Sequence, residues 1–235
     1  MDFESRLKDK TVPIAIDFDT KKNVLLLAFG GLARQLGLPM FEFNKITSGL
    51  KNINKIYLRD QYRQWYHRGL PDVGDNIESI ATFLQQYTTH QSTHRVVVFG
   101  NSGGGYAAML FGHILQVDEV HAFAPRTFIG PIKRLIHNDL PFGSEMQIFL
   151  RLFFHGQWKY FDLKKVFLAS PKNKRNIHVH YSSGHKIDNL HASRMRSVAG
   201  VYLHPYQYER HDLVKHLKRN GKLSEIIERA ILLEN

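Results

Sequence analysis

Short runs of apolar and β-branched residues alternate along the chain with longer stretches in which apolar positions recur at helical spacing. The run Val96–Phe99 is apolar at every position, which is typical of a strand buried on both faces of a parallel sheet. Seven runs are predicted as strands: Val12–Phe18, Val24–Phe29, Lys55–Arg59, Arg95–Phe99, Glu119–Phe123, Ile177–Tyr181 and Val201–Leu203. Five stretches are predicted as helices: Asp75–Tyr87, Ser102–Leu115, Ser193–Val198, Asp212–Arg219 and Leu223–Leu233.

This order of elements predicts an α/β fold in which a mostly parallel central sheet is flanked by helices. We expect a single domain over residues 1–235. Prolines, aromatic residues and Lys/Arg interrupt the rhythm between residues 127 and 176, and we interpret this stretch as a helical cap inserted over the strand ends. Because ligands bind at the carboxyl ends of the strands in open α/β sheets, the cap would cover a site.

The composition narrows the class of protein. Hydrophobic residues make up 43% of the 235 positions, and cysteine is absent. These values exclude collagen-like and acidic disordered chains, together with disulfides, thiolate metal sites and a cysteine nucleophile. The charged N-terminus lacks a signal-peptide core, and no stretch approaches the roughly 18 apolar residues of a membrane span. We therefore expect a cytoplasmic protein.

The chain is strongly basic. Its formal net charge is +11 at pH 7, and its 14 histidines would add to this charge as the pH falls. Such a charge is typical of a protein that binds nucleic acid or another polyanion. A basic enzyme would have the same charge, so charge alone leaves both classes open.

The most informative segment is a serine between glycines, Gly100-Asn101-Ser102-Gly103-Gly104, which joins a predicted strand to a predicted helix. In a turn this sharp the serine hydroxyl is exposed at the start of the helix, where backbone N–H groups favour a developing negative charge. We interpret Ser102 as a nucleophile. Two alternatives are a turn that only packs and a phosphate-binding turn, although the glycine spacing does not follow a dinucleotide or P-loop pattern.

A serine nucleophile requires a base and a carboxylate, which in this architecture follow it along the chain in the order acid, then histidine. Asp188 is the only carboxylate in the loop after the strand Ile177–Tyr181, and His211 lies in the loop after the last strand. We predict that they are the acid and the base. Asp188 could instead cap a helix, His211 could be a surface residue, and His204 and His216 are the rival bases.

An oxyanion hole would complete such a site. The residue after the nucleophile, Gly103, should supply one backbone N–H. The loop Phe29-Gly30-Gly31-Leu32 follows an early strand and permits close approach of its backbone. We expect the second donor to be the amide of Gly31, with Leu32 as the alternative, unless the pair of glycines is a plain turn.

Taken together, the serine turn, the glycine loop, Asp188 and His211 resemble the α/β-hydrolase superfamily over most of the chain, from about Val24 to its end. Phe29 stands where the family usually has histidine before the oxyanion loop. The resemblance implies hydrolysis of an ester, thioester or amide through an acyl-enzyme, without a cofactor or metal. It does not identify the substrate. We predict a serine esterase, with an acyltransferase or a non-catalytic polyanion- or glycan-binding protein on the same scaffold as alternatives.

Three further groups of residues bear on the substrate, which we expect to be a small-molecule or glycan ester and not a nucleic acid. The segment Arg59–Gly69 combines basic and aromatic residues, and we predict that Arg59, Asp60, Trp65 and Tyr66 either contact the ligand or support the site. His178 and His180 could belong to a metal cluster or be partly buried strand residues. The third group is a set of lysines that either form a solvated surface or attract an anionic substrate: Lys164, Lys165, Lys172 and Lys174.

Overall fold

The computed structural model describes residues 2–32, 41–137, 139, 158–170 and 175–232. Its centre is a seven-stranded sheet of order β1-β3-β2-β4-β5-β6-β7. All neighbouring strands are parallel except β1, which pairs antiparallel with β3. The strands are β1 Ile14–Asp17, β2 Val24–Phe29, β3 Asn54–Leu58, β4 Arg95–Asn101, β5 Glu119–Phe123, β6 Ile177–Ser182 and β7 Val201–Tyr206.

The seven predicted strands and the mostly parallel sheet are confirmed, with bounds that shift by up to three residues. The largest shift is in β7, which was predicted to stop at Leu203 and continues through Pro205 to Tyr206. Proline cannot donate a hydrogen bond to a neighbouring strand, so it is tolerated in a sheet mainly at an edge. β7 is an edge strand, and this position makes the extension possible.

Nine α-helices are found among the described residues. They are α1 Phe3–Lys8, α2 Asn44–Thr47, α3 Ile77–Thr88, α4 Gly103–Leu115, α5 Pro131–Ile136, α6 Leu163–Ala169, α7 Lys186–Ser193, α8 Leu213–Arg219 and α9 Lys222–Leu232. Four of the five predicted helices are present as α3, α4, α8 and α9.

The predicted helix Ser193–Val198 is wrong. The helix in this region is α7, which ends at Ser193, and residues 194–197 form turns followed by a bend at 198. Its start is set by His185, whose side chain accepts a hydrogen bond from the amide of Asp188 and caps the helix. Histidine is not among the preferred capping residues, so the sequence pattern carried little signal for this start.

The sheet is buried on both faces, as the unbroken apolar run in β4 indicated. Val96 and Val98 join one hydrophobic core, and Val97 and Phe99 join the other. Helices α3, α4, α6 and α7 contribute to the first core, whereas α8 and α9 close the second. This layering leaves the carboxyl ends of the parallel strands as the rim at which loops gather.

The expected cap over residues 127–176 falls partly outside the described residues, since residues 138, 140–157 and 171–174 are not among them. The described remainder includes α5, a short 3₁₀ helix Trp158–Tyr160 and α6. Phe161, Leu163 and Phe167 are buried in the first core, so α6 belongs to the helical layer. The cap itself stays a prediction. In the part of the chain that the model covers, no helix is long and apolar enough to cross a membrane.

Candidate active site

Ser102 lies at the junction between β4 and α4, at the carboxyl end of a central strand. Its backbone has φ 54° and ψ −112°, a conformation that is strained for a residue with a side chain. The turn is anchored to the end of β5, because the Ser102 amide donates a hydrogen bond to the carbonyl of Phe123 at 2.8 Å. The hydroxyl therefore projects from the tip of a strand-to-helix turn at the start of α4.

Two glycines make this turn sterically possible. A Cβ atom on Gly100 would lie 2.0 Å from the carbonyl oxygen of Gly104, and a Cβ on Gly104 would lie 2.1 Å from the carbonyl oxygen of Phe29. Both distances are far below van der Waals contact with backbone atoms that cannot move aside. The absence of side chains thus lets the turn pack directly against the end of β2.

The three predicted catalytic residues are brought together by the ends of three strands. Ser102 follows β4, Asp188 lies in the first turn of α7 after β6, and His211 lies in the loop after β7. Ser102 Oγ is 2.8 Å from His211 Nε2, and His211 Nδ1 is 2.7 Å from Asp188 Oδ1. With its Nδ1–H donated to the carboxylate, His211 has Nε2 free to accept the serine proton.

The carboxyl group of Asp188 is enclosed, with its side chain 0% exposed against 23% for His211. His185 Nδ1 lies 3.0 Å from Asp188 Oδ1, and the guanidinium of Arg126 lies 3.9 Å from the same oxygen. The cap of α7 is His185, and the Asp188 side chain hydrogen-bonds with His211. The alternative of Asp188 as the helix cap does not describe this structure.

The rival bases lie in other surroundings. His204 Nε2 is 2.9 Å from His178 Nδ1 on one face of the sheet. His216 stacks on Tyr208 with ring centres 4.2 Å apart. His211 is the histidine whose ring nitrogen is within hydrogen-bonding distance of the Ser102 hydroxyl.

The loop after β2 lies against the serine turn, where the oxyanion hole is predicted. Glu42 Oε1 lies 3.3 Å from the position that a Cβ on Gly31 would take, and the Gly31 amide lowers the pKa of that carboxyl group. The nitrogen of Leu32 lies 3.3 Å from the position that a Cβ on Gly103 would take. This nearness favours Leu32, the alternative to Gly31, as the second donor beside Gly103, and the donor pair stays a prediction.

Glu42 is a residue at this site that sequence reasoning missed. It follows residues 33–40, which lie outside the described chain, and it has no motif of its own. Burial raises the pKa of its carboxyl group to about 7, against hydrogen bonds from the Asn101 side chain and the Gly31 amide that lower it. Glu42 is distant from Ser102 in sequence, and no short-range pattern indicates that the two residues meet. Only the fold shows that they are close.

Arg59, Asp60, Trp65 and Tyr66, which were predicted either to contact the ligand or to support the site, are buried. All four are less than 10% exposed. The guanidinium of Arg59 donates from Nε to the carbonyl of Val12 at 2.8 Å. Contact of these four side chains with a ligand stays a prediction.

Two of these residues, Asp60 and Tyr66, form a chain of hydrogen bonds that reaches the loop after β2. Asp60 Oδ2 accepts a hydrogen bond from the Tyr66 amide at 2.9 Å, and burial raises the Asp60 pKa to about 6. The Tyr66 hydroxyl then donates to the carbonyl of Gly30 at 2.9 Å. The Trp65 ring packs edge-on against Tyr106 in α4. These contacts favour support of the site over ligand contact, and both stay predictions.

Two of the three predicted catalytic residues belong to a group of possible metal ligands. Ligand atoms of His185, Asp188 and His211 all lie within 4.8 Å of one another. Since His211 also hydrogen-bonds to Ser102, we interpret this grouping as a triad and its neighbour.

His178 and His180, the other candidate ligands, belong to a hydrogen-bonded ladder on the second face of the sheet. His180 Nε2 is 3.0 Å from His121 Nδ1, and His121 Nε2 is 2.8 Å from the carboxylate of Glu119. Since the carboxylate only accepts, His121 donates to it and accepts from His180. The ladder has a pairing that needs no ion, and burial lowers the pKa of His178 to about 4. These histidines fit the interpretation as partly buried strand residues.

Comparisons with known proteins address the fold. No protein-family model matches the chain, and no curated protein matches it. Among solved structures it is similar to the capsule O-acetyltransferase of Neisseria meningitidis serogroup A, with a TM-score of 0.62, 12% identity and 89% of each chain covered.

Two further likenesses are to esterase- and hydrolase-type proteins. A lipase-esterase related protein from Clostridium acetobutylicum ATCC 824 has a TM-score of 0.54 and 15% identity, over 94% of this chain and 99% of the other. MGS-MChE2, an α/β-hydrolase enzyme from the metagenome of lagoon sediments of Mar Chica, Morocco, has a TM-score of 0.56 and 11% identity, over 92% and 94%. The sheet order, the serine turn and these likenesses together show that the chain has the α/β-hydrolase fold.

Proposed function

We propose that this protein is a serine hydrolase that cleaves a carboxylic ester or thioester through an acyl-enzyme formed on Ser102. The structural neighbours include esterases and an O-acetyltransferase, which support chemistry on esters. The single observation that carries the proposal is the hydrogen-bonded chain from Ser102 Oγ through His211 to Asp188, at 2.8 and 2.7 Å. A chain of this kind activates a hydroxyl that is otherwise a weak nucleophile.

The reaction follows from the roles that these atoms can take. Ser102 Oγ attacks the carbonyl carbon while His211 Nε2 takes its proton, and the carbonyl oxygen becomes an anion. The amides of Gly103 and Leu32 stabilise that anion. The bond to the leaving group then breaks, and His211 returns the proton to it. Water attacks the acyl-enzyme by the same steps, releasing the acid, while Asp188 holds the imidazole and stabilises its charged form.

The test is labelling of the purified protein with a fluorophosphonate, together with turnover of a p-nitrophenyl ester. Wild-type protein should be labelled stoichiometrically. Ser102→Ala should not be labelled and should lose at least about three orders of magnitude in kcat. Ser92→Ala is the matched control, because Ser92 lies in a loop after α3 and its hydroxyl hydrogen-bonds with His90. Equal rates for Ser102→Ala and wild type would contradict the proposal.

Acyl transfer on the same triad is a second candidate. The observation that favours it is the TM-score of 0.62 to a capsule O-acetyltransferase, which exceeds the values of the two hydrolase-type proteins above. In this case a sugar or another alcohol replaces water in the second step. Product analysis with an acyl donor, in the presence and absence of alcohol acceptors, separates the two: hydrolysis yields free acid, and transfer yields an acylated acceptor.

The basic charge bears on the substrate, which we propose is a small-molecule or glycan ester that can be anionic. Lys165 is exposed and Lys164 half-buried on α6, whereas Lys172 and Lys174 lie outside the described residues. Replacing these four lysines with glutamine should raise KM for an anionic ester and leave KM for a neutral ester unchanged. A protein that binds polyanions with a steep salt dependence and is not labelled at Ser102 would instead be a binding protein on this scaffold.

A further inference from the structure

The carboxyl group of Glu42 lies directly behind the oxyanion loop. Its Oε1 is 3.3 Å from the position that a Cβ on Gly31 would take, and the same position is 2.8 Å from the carbonyl oxygen of Asn101 and 3.7 Å from Ser102 Cβ. The Gly31 amide and the Asn101 side chain both lower the pKa of this carboxyl group, as hydrogen-bond donors facing it do. Glu42 therefore connects the two segments whose backbones form the oxyanion hole.

The second carboxyl oxygen is enclosed. Glu42 Oε2 is buried and has no hydrogen-bond partner among the residues that the structure describes. A buried carboxylate with an unpartnered oxygen is unfavourable, because its charge loses the solvation of water without a compensating donor. Protonation removes this penalty, and burial accordingly raises the pKa of Glu42 to about 7.

Few titratable or charged groups of the described chain surround this carboxyl group. On the loop after β3, Asp60 accepts a hydrogen bond from the Tyr66 amide. Burial raises the pKa of the Tyr66 hydroxyl, and the charges of Asp60 and Glu42 raise it further. Arg59 stacks on Phe41, the residue before Glu42, and in α2 Lys45 is exposed to solvent.

On the side of β4 the neighbours are Asn101 and Ser102, with His211 beyond the serine hydroxyl. The pKa of Glu42 is raised by burial and lowered by the Asn101 side chain and the Gly31 amide. Its protonation is governed by burial and by the hydrogen bonds that it accepts.

We propose that Glu42 is a positioning residue that, as a neutral carboxylic acid, holds the Gly31 amide so that the Leu32 amide stays beside that of Gly103. The proposal rests on the proposed function of the site. It assigns to Glu42 no contact with the substrate and no transfer of a proton to it. An ionised Glu42 would place a negative charge beside the oxyanion hole, in which the substrate oxygen also becomes negative. The two negative charges would repel each other.

A consequence is an alkaline limit on activity. Below pH 7 Glu42 is protonated, and as the pH rises above its pKa of about 7 it ionises. The repulsion acts on the transition state, in which the oxygen is charged, and much less on the neutral bound ester. We therefore expect kcat to fall by about tenfold between pH 7 and pH 9 while KM changes little.

The test measures kcat and KM between pH 5.5 and 9.5 for wild type, Glu42→Gln, Glu42→Ala and Glu228→Gln. Glutamine stays neutral at every pH, so Glu42→Gln should lower kcat about two- to fivefold at pH 7 and remove the alkaline fall. Glu42→Ala, which releases the loop, should lower kcat at least tenfold across the range. Glu228 is exposed on α9, and its variant should match wild type. Fluorophosphonate titration counts the active molecules in each preparation, so that a folding defect is not mistaken for an effect on kcat.

The outcomes separate this proposal from the one on which it rests. A labelled wild-type protein whose alkaline fall persists in Glu42→Gln, or which shows no fall up to pH 9, overturns the role of Glu42 and leaves the serine hydrolase intact. A wild-type protein that is not labelled at Ser102 overturns the proposed function, and the role of Glu42 with it.

Discussion

At the scale of single residues, the backbone of Ser102 carries strain that the rest of the fold must hold. A serine with φ 54° is stable only where neighbours restrain it, and here the carbonyl of Phe123 and the glycines at 100 and 104 do so. Asp188 is restrained in a similar way, since it is buried in the first turn of α7 with His211 as the partner of its Oδ1. The position of each functional atom is thus a consequence of packing around it.

Replacement of Asp188 by asparagine tests the predicted acid. The substitution conserves shape but removes the charge that stabilises protonated His211 and favours the tautomer with hydrogen on Nδ1. We expect kcat to fall by about 10³- to 10⁴-fold with little change in KM, as measured by ester turnover. Asp72→Asn is a control, because Asp72 is exposed and asparagine tolerates its φ of 60°. A fall of less than tenfold for Asp188→Asn would argue against this role.

At the scale of elements, the site depends on how closely two strand ends approach. The end of β2 meets the start of α4 where Gly104 faces the carbonyl of Phe29. α4 can begin there because its first residues, Gly103 to Gly105, are small enough to lie against the loops from β2 and β5. The segment at residues 59–66 contacts the loop after β2 through the Tyr66 hydroxyl, which donates to the carbonyl of Gly30.

Alanine at Gly104 should disrupt this contact. Its Cβ would lie 2.1 Å from a backbone oxygen, so the turn and the end of β2 must separate. We expect a loss of about 3 kcal/mol or more in the free energy of unfolding, measured in urea, and loss of fluorophosphonate labelling. At Gly49 a Cβ meets nothing within 4 Å, and Gly49→Ala should change the stability by less than about 0.5 kcal/mol. Equal stabilities of the two variants would contradict this explanation of the turn.

At the scale of the whole molecule, buried histidines make the stability of the protein depend on pH. Burial lowers the pKa of six of them, to about 3 for His67 and about 4 for three others; the set is His67, His113, His178, His180, His191 and His204. In the unfolded chain each has a pKa near 6.5, so that the unfolded state binds more protons below this pH. Burial raises the pKa of Glu42 and Asp60, and these two carboxyl groups act in the opposite direction.

The six histidines outnumber the two carboxyl groups, so stability should be greatest above pH 6.5 and fall towards pH 4. Each histidine contributes a slope of at most about 1.4 kcal/mol per pH unit in this window. The measurement is the free energy of unfolding in urea at pH 7.5, 6.5, 5.5 and 4.5. His67→Gln should make this dependence shallower, whereas His94→Gln, at an exposed histidine, should leave it unchanged. A stability that is constant or rises over this range would contradict the prediction.

Local patterns determined much of this protein in advance. Apolar runs of β-branched residues predicted all seven strands, because a buried strand requires such residues whatever surrounds it. The serine turn was readable since its steric requirements fall on five consecutive residues. Asp188 and His211 were predicted from their order after later strands, and the structure brings both to Ser102. Helix α7 was misplaced because its start depends on an unusual cap, His185.

What only the tertiary structure decided involves residues that are distant in sequence. Glu42 lies beside Gly31, the Leu32 nitrogen lies near Gly103, and the buried Asp60 and Tyr66 form hydrogen bonds that reach Gly30. None of these contacts leaves a periodic or short-range signal, because burial and hydrogen-bond partners depend on which elements the fold packs together. The sequence by itself therefore determined the sheet and indicated the nucleophile, and the packing of distant segments decided which groups surround it.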